Sequence, residues 1–175
     1  MKWTELLKSH VEDVYHATEG LMDLVKQKDL SWKPETGSNW MTMGQLLMHL
    51  TTACGFCMRG FVTGDWGCPE GAKYEDIPEE QMLPPAEKMP AVKQVAKAKK
   101  LLAEDKALAL AMIEQAGERT LATKKVEAPW NPGTKYELGL HLLHMVGHLS
   151  QHKGQLFYYL KLMGRPVHTG HLWGM

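Results

Sequence analysis

Apolar residues return every three or four positions from Trp3 to about Lys28, at Trp3, Leu6, Leu7, Val11, Val14, Tyr15, Leu21, Met22 and Val25. That spacing predicts an amphipathic first helix with one face turned to a core. Pro34, Gly37, Ser38 and Asn39 then break the pattern between Ser31 and Asn39. A second apolar stretch runs from about Met41 to Val62, with Leu46, Leu47, Leu50, Phe56 and Phe61 and no acidic residue. A helix apolar around most of its girth is expected to be wedged between neighbours. Thr42, with Gln45 three residues on, has the form of a capping box at its start.

Gly64 to Pro90 is rich in Gly, Pro and acidic residues and predicts a long surface connection, of a kind more often functional than idle. Ala91 to about Ala116 is dominated by strong helix formers, with Gly117 as a natural stop. A further breaker segment, with Pro129, Asn131, Pro132 and Gly133, leads into a fourth helix. Its inward positions run Leu138, His141, Leu142, Met145, His148, Leu149, His152, Leu156, Tyr159, Leu160 and Met163, and Gly164 with Pro166 ends it. No alternating strand pattern is visible. The expectation is an all-α protein, a four-helix bundle with a long connection between its second and third helices.

At 175 residues and 44% hydrophobic, the chain has the size and apolar content of one domain, residues 1–175. Twenty basic and twenty acidic residues cancel, which removes the overall electrostatic case for nucleic acid or an anionic membrane. The lysines between Lys93 and Lys100 alternate with Ala and Val and read as a solvated helix face. No run of eighteen apolar residues occurs and the first thirty residues lack a signal-peptide pattern, so a cytoplasmic protein is expected. Three cysteines, an odd number, suit a reducing compartment.

Chemistry concentrates in the histidines. His141, His144, His148 and His152 lie within twelve residues of the fourth helix. Side chains four apart share a helix face, so His148 can pair with either His144 or His152, but those two are ~12 Å apart along the axis and cannot both join it on one ion. Gly154, just past His152, favours the later pair by allowing close approach of a backbone or ligand. His49, on the acid-free second helix, supplies a third ligand. Three imidazoles with an open position suit Zn, Ni, Cu or Fe and not Mg or Ca. Too few carboxylates lie on these helices for a di-iron site. Cys54 and Cys57 form a Cys-x-x-Cys in mid-helix, read as small buried residues, with Cys57 close enough to His49 to border a pocket.

Trp40-Met41-Thr42-Met43-Gly44-Gln45-Leu46-Leu47-Met48-His49-Leu50, followed by His148-Leu149-Ser150-Gln151-His152-Lys153-Gly154-Gln155-Leu156 and then Gly164-Arg165-Pro166, resembles the DinB-like (DinB/YfiT) family over nearly the whole chain. The resemblance implies an up-down-down-up bundle, usually a homodimer, in which His49, His148 and His152 bind Zn, Ni or a similar divalent transition metal. It also implies a small-molecule thiol or electrophile as partner, since characterised relatives are thiol S-transferases or isomerases. A metal-dependent thiol S-transferase is therefore the expected function. The alternatives are a metal-dependent hydrolase and a non-enzymatic, stress-related metal-binding dimeric bundle. His144 and Tyr159 flank the pair as candidate pocket or supporting residues, Arg59 and Arg165 are candidate anion contacts, and His168, His171 and Trp173 form a tail that either covers the pocket mouth or does not.

Overall fold

The computed structural model describes residues 2–69, 71, 74, 77–78 and 84–175. Helix α1, Trp3–Asp23, buries Leu7, Val11, Val14, Tyr15, Leu21 and Met22 on one face. It stops short of the expected Lys28 because the chain turns through a 3₁₀ segment at Gln27–Asp29. Asp29 holds that turn: its buried carboxylate accepts the Lys26 N–H at 2.9 Å and pairs with the Arg165 guanidinium at 2.6 Å.

The expected second helix is two helices. α2, Met43–Leu50, opens on the capping box: Gln45 N–H donates to Thr42 Oγ1 at 3.2 Å and Thr42 N–H to Gln45 Oε1 at 2.7 Å. The path then breaks, with Cys54 at φ −127° and ψ −75°, and α3 runs from Gly55 to Thr63. In a continuous helix the N–H groups of Gly55 and Phe56 would bond to the carbonyls of Thr51 and Thr52. Here they donate instead to the two oxygens of Asp105, at 2.9 and 2.7 Å. A side chain at Gly55 would come within 2.1 Å of the Asp105 carbonyl oxygen, so only glycine fits this approach.

α4 spans Val95–Thr123 and brings Asp105 to that break. Gly117 interrupts it, at φ 68° and ψ 160°, but does not end it as expected, because helical turns resume beyond it. Glu118, the next residue, accepts the N–H groups of Trp3 and Thr4 at 2.9 Å each and so caps α1 across the molecule.

Where only a breaker was expected, β1, Lys125–Ala128, pairs antiparallel with β2, Asn131–Glu137. The strand signal was hidden because β1 is four residues long and β2 carries Pro132 and Gly133. α5, Leu138–Leu162, follows directly and ends, as expected, at Gly164. A short α6, Thr169–Leu172, lies in the tail, which is tied down where Lys153 Nζ donates to the Leu172 carbonyl at 2.6 Å.

The fold is mostly helical, with one small ribbon. Leu7, Val11, Leu46, Leu50, Leu102, Ile113, Leu142, Leu149 and Leu156 form one shared core between α1, α2, α4 and α5. Each such side chain contributes ~1.5–3 kcal/mol on burial. Of the expected long connection, residues 70, 72–73, 75–76 and 79–83 lie outside the described ones. Its end is fixed to α2, where Gln45 Nε2 donates to the Met89 and Glu87 carbonyls at 2.8 and 3.2 Å. Among the described residues, no helix is long and apolar enough to cross a membrane.

Candidate metal centre

His49 stands in the last turn of α2, and His148 and His152 stand one turn apart on α5. Their ligating nitrogens lie within 4.8 Å of one another. His148 Nε2 is 3.2 Å from His49 Nε2 and 3.1 Å from His152 Nε2.

What lies behind the rings fixes their chemistry. His148 Nδ1 is 3.1 Å from the Ala53 carbonyl, an acceptor only, so this nitrogen carries the proton and donates. The carbonyl is available because the α2–α3 break leaves it outside both helices. His152 Nδ1 lies 2.9 Å from Gln155 Oε1. Gln155 is turned that way because its amide donates to Tyr159 Oη at 3.2 Å, and Tyr159 in turn donates to the Met41 carbonyl at 3.0 Å. Trp32 and Trp40 brace the Tyr159 ring edge-on, with centroids 5.3 and 6.2 Å away.

With Nδ1 protonated in both His148 and His152, their Nε2 atoms face each other as lone pairs. Two acceptors at 3.1 Å do not hydrogen-bond, and a shared cation relieves their repulsion. Nitrogens ~2.0–2.1 Å from a tetrahedral zinc stand about 3.4 Å apart, close to the observed spacing. The donor set therefore fits a divalent transition ion. Burial lowers the basicity of all three rings. It is the main reason His49 is pushed down to about 3, the neighbouring His152 and His148 adding to it. His148 and His152 are lowered chiefly by burial as well. All three are neutral near pH 7, so a metal displaces no proton.

His49 and His148 also form one edge of a cavity of about 520 Å³. Thr52, Phe56 and Cys57 from the broken helix line it, with Tyr74, Pro84 and Met89 from the connection, Trp130 from the ribbon turn and Met145 from α5. Cys57 borders the cavity as expected, but its Sγ donates to the Thr52 carbonyl at 3.5 Å and burial, with the Asp105 carboxylate, pushes the thiol up to about 12. It stays a thiol. Cys54 is buried, and neither cysteine is in a disulfide.

Other candidates fall elsewhere. His144 is exposed and faces Tyr136, with ring centroids 6.1 Å apart, and is not part of the histidine cluster. His141 is a core histidine, bonded to the Val126 carbonyl at 2.9 Å and stacked on Phe61. Tyr159 supports the site from behind. Arg165 is spent on Asp29, and Arg59 binds the Asp65 carbonyl at 3.2 Å; neither lines the cavity among its described residues. The same holds for His168, His171 and Trp173, whose segment lies against α1, where Gly174 meets His16. Gly154 has open space where a Cβ would be, so the expected close approach does not occur there; what distinguishes His152 is its own bond to Gln155 Oε1.

Asp105 was not foreseen. A signal existed: it occupies an inward position in the α4 series Ala98, Leu102, Asp105, Ala109 and Ile113, where a lone acid needs a reason. It is buried and accepts a third bond, from Tyr15 Oη at 2.5 Å.

Comparison with curated proteins and with solved structures gives no match. A family model described as the DinB superfamily matches residues 10–156, a span that contains the three clustered histidines and every element from within α1 to most of α5. The chain belongs to the DinB superfamily.

Proposed function

We propose that this protein is a metal-dependent thiol S-transferase whose ion, Zn or Ni, is held by His49, His148 and His152. The observation that carries the reading is the convergence of three neutral imidazole nitrogens at the edge of a 520 Å³ cavity. A divalent ion bound there lowers the pKa of a thiol that reaches it and so supplies a thiolate at neutral pH. The chain's own residues do the rest. Ala53 and Gln155 hold His148 and His152 in one tautomer, and the cavity walls exclude water from an electrophile beside His49. A purely structural site would close on four protein ligands, whereas the described residues bring together three beside a cavity.

In the same reading α1, the α2–α3 pair, α4 and α5 are the four helices of a DinB-type bundle in one domain, and two chains form a homodimer. Sedimentation at micromolar concentration should give twice the chain mass; a single-chain mass would overturn the dimer. For the activity, metal-loaded protein is assayed with electrophiles and several cellular thiols. Turnover that requires both thiol and metal supports the transferase. Turnover without thiol points to hydrolysis, which the lack of Lys or Arg among the described lining residues keeps as the second reading, since most cellular thiols are anionic.

A further inference from the structure

We infer that the cavity beside His49 and His148 is a binding site for a neutral, largely apolar, planar molecule, laid against the Trp130 indole, and that without its metal it disfavours anionic ligands. The inference rests on the transferase reading only in naming this occupant as the electrophile.

Its walls carry the argument. Phe56, Met89, Met145 and Trp130 present aromatic and thioether surface, and no charged side chain occurs among the described lining residues. The polar groups that do line it are mostly spent internally: Thr52 Oγ1 donates to the His49 carbonyl at 3.3 Å, and Cys57 to Thr52. In the metal-free protein an anion entering would lose its water without gaining a cation from the described lining residues, a large cost that a neutral ring does not meet. Arg59 is paired with Asp65 and lies over the Phe56 ring, 4.9 Å from its centroid, and is not among the described lining residues.

Trp130 is placed to act as a wall. It stands at the ribbon turn, partly exposed, with its indole edge-on to Phe61 and Trp66 at 5.7 Å between centroids. Those contacts fix the ring and leave it available to a flat ligand. The volume lies within the ~300–1,000 Å³ range of small-molecule sites.

The test uses two probes of one ring skeleton, neutral N-phenyl-1-naphthylamine and its anionic relative 8-anilinonaphthalene-1-sulfonate. Both are titrated by fluorescence into chelator-treated full-length protein, so binding is read apart from metal and turnover. The neutral probe should bind at least ~10-fold more tightly than the sulfonate. Trp130→Ala should weaken it about tenfold, while Trp40→Ala, which removes a tryptophan behind Tyr159, should not. Met89→Arg, on the half-buried connection, should invert the preference and draw in the sulfonate; it serves as the second variant should Trp130→Ala disturb the ribbon. Equal or tighter binding of the sulfonate by the unmodified protein, or neutral-probe affinity unmoved by both Trp130→Ala and Met89→Arg, overturns the inference. Neutral-probe binding without thiol-dependent turnover would leave the site standing and remove the transferase reading alone.

Discussion

The three histidines hang from two walls built in different ways. The α5 wall is an unbroken helix in which His148, His152, Gln155 and Tyr159 follow one another at helical spacing, so support for His152 comes from its own next turn. The opposite wall is a helix broken between Leu50 and Gly55, and the break supplies the Ala53 carbonyl that orients His148. That break is held from a third helix by Asp105. One wall is local and the other depends on tertiary structure, so damage to them should show different signatures.

The largest effect is expected where the walls meet. His148 is the ring whose Nε2 touches both others, so His148→Ala should lower metal affinity by more than the ~10–100-fold typical of a lost supporting bond. Calorimetric titration with Zn checks this; affinity within tenfold of the parent would mean that the ion is held elsewhere. Next comes Asp105→Ala. It leaves Tyr15 Oη and the N–H groups of Gly55 and Phe56 without their acceptor, and each orphaned group costs ~1–3 kcal/mol. Urea unfolding of metal-free protein should show a loss of at least ~3 kcal/mol, with weaker metal binding as well. Stability lost with metal affinity unchanged would show that the break does not position His148.

Gln155→Ala tests the local wall. It frees the His152 ring without exposing core, so metal affinity should fall ~10-fold or more while metal-free stability changes by less than ~1 kcal/mol. Equal losses of stability in the Gln155 and Asp105 variants would erase the distinction between the walls.

The same distinction explains what could be read from the chain. α5 was legible from end to end because its apolar period, its histidines and its Gly164 stop are all local. His49 stood out as a lone histidine on a helix without acids. The break at Thr51–Cys54 was not legible, since no proline marks it and its cause, Asp105, lies some fifty residues away. Gly55 within an apolar run and an acid on the inner face of α4 were its only traces. The ribbon escaped notice because β1 is too short to set a period of two. Gly117 was read correctly as a local break and wrongly as an end, because helix resumption behind it depends on Glu118 reaching α1.

The smallest effect should come from His144→Ala. By spacing, His144 is as good a partner for His148 as His152, and a reading of α5 alone does not separate them. The other elements do. A residue four positions earlier lies one turn along the helix, and there the outer surface of α5 faces β2, so His144 meets Tyr136 and solvent. Among the described residues, His49, on the α2 side, clusters with His148 and His152. Removing an exposed imidazole should change stability by no more than ~0.5 kcal/mol and leave metal affinity as it was. Loss of the ion in this variant would transfer the site to the other pair and take His152 out of it, since His144 and His152 stand ~12 Å apart along α5 and cannot share one ion.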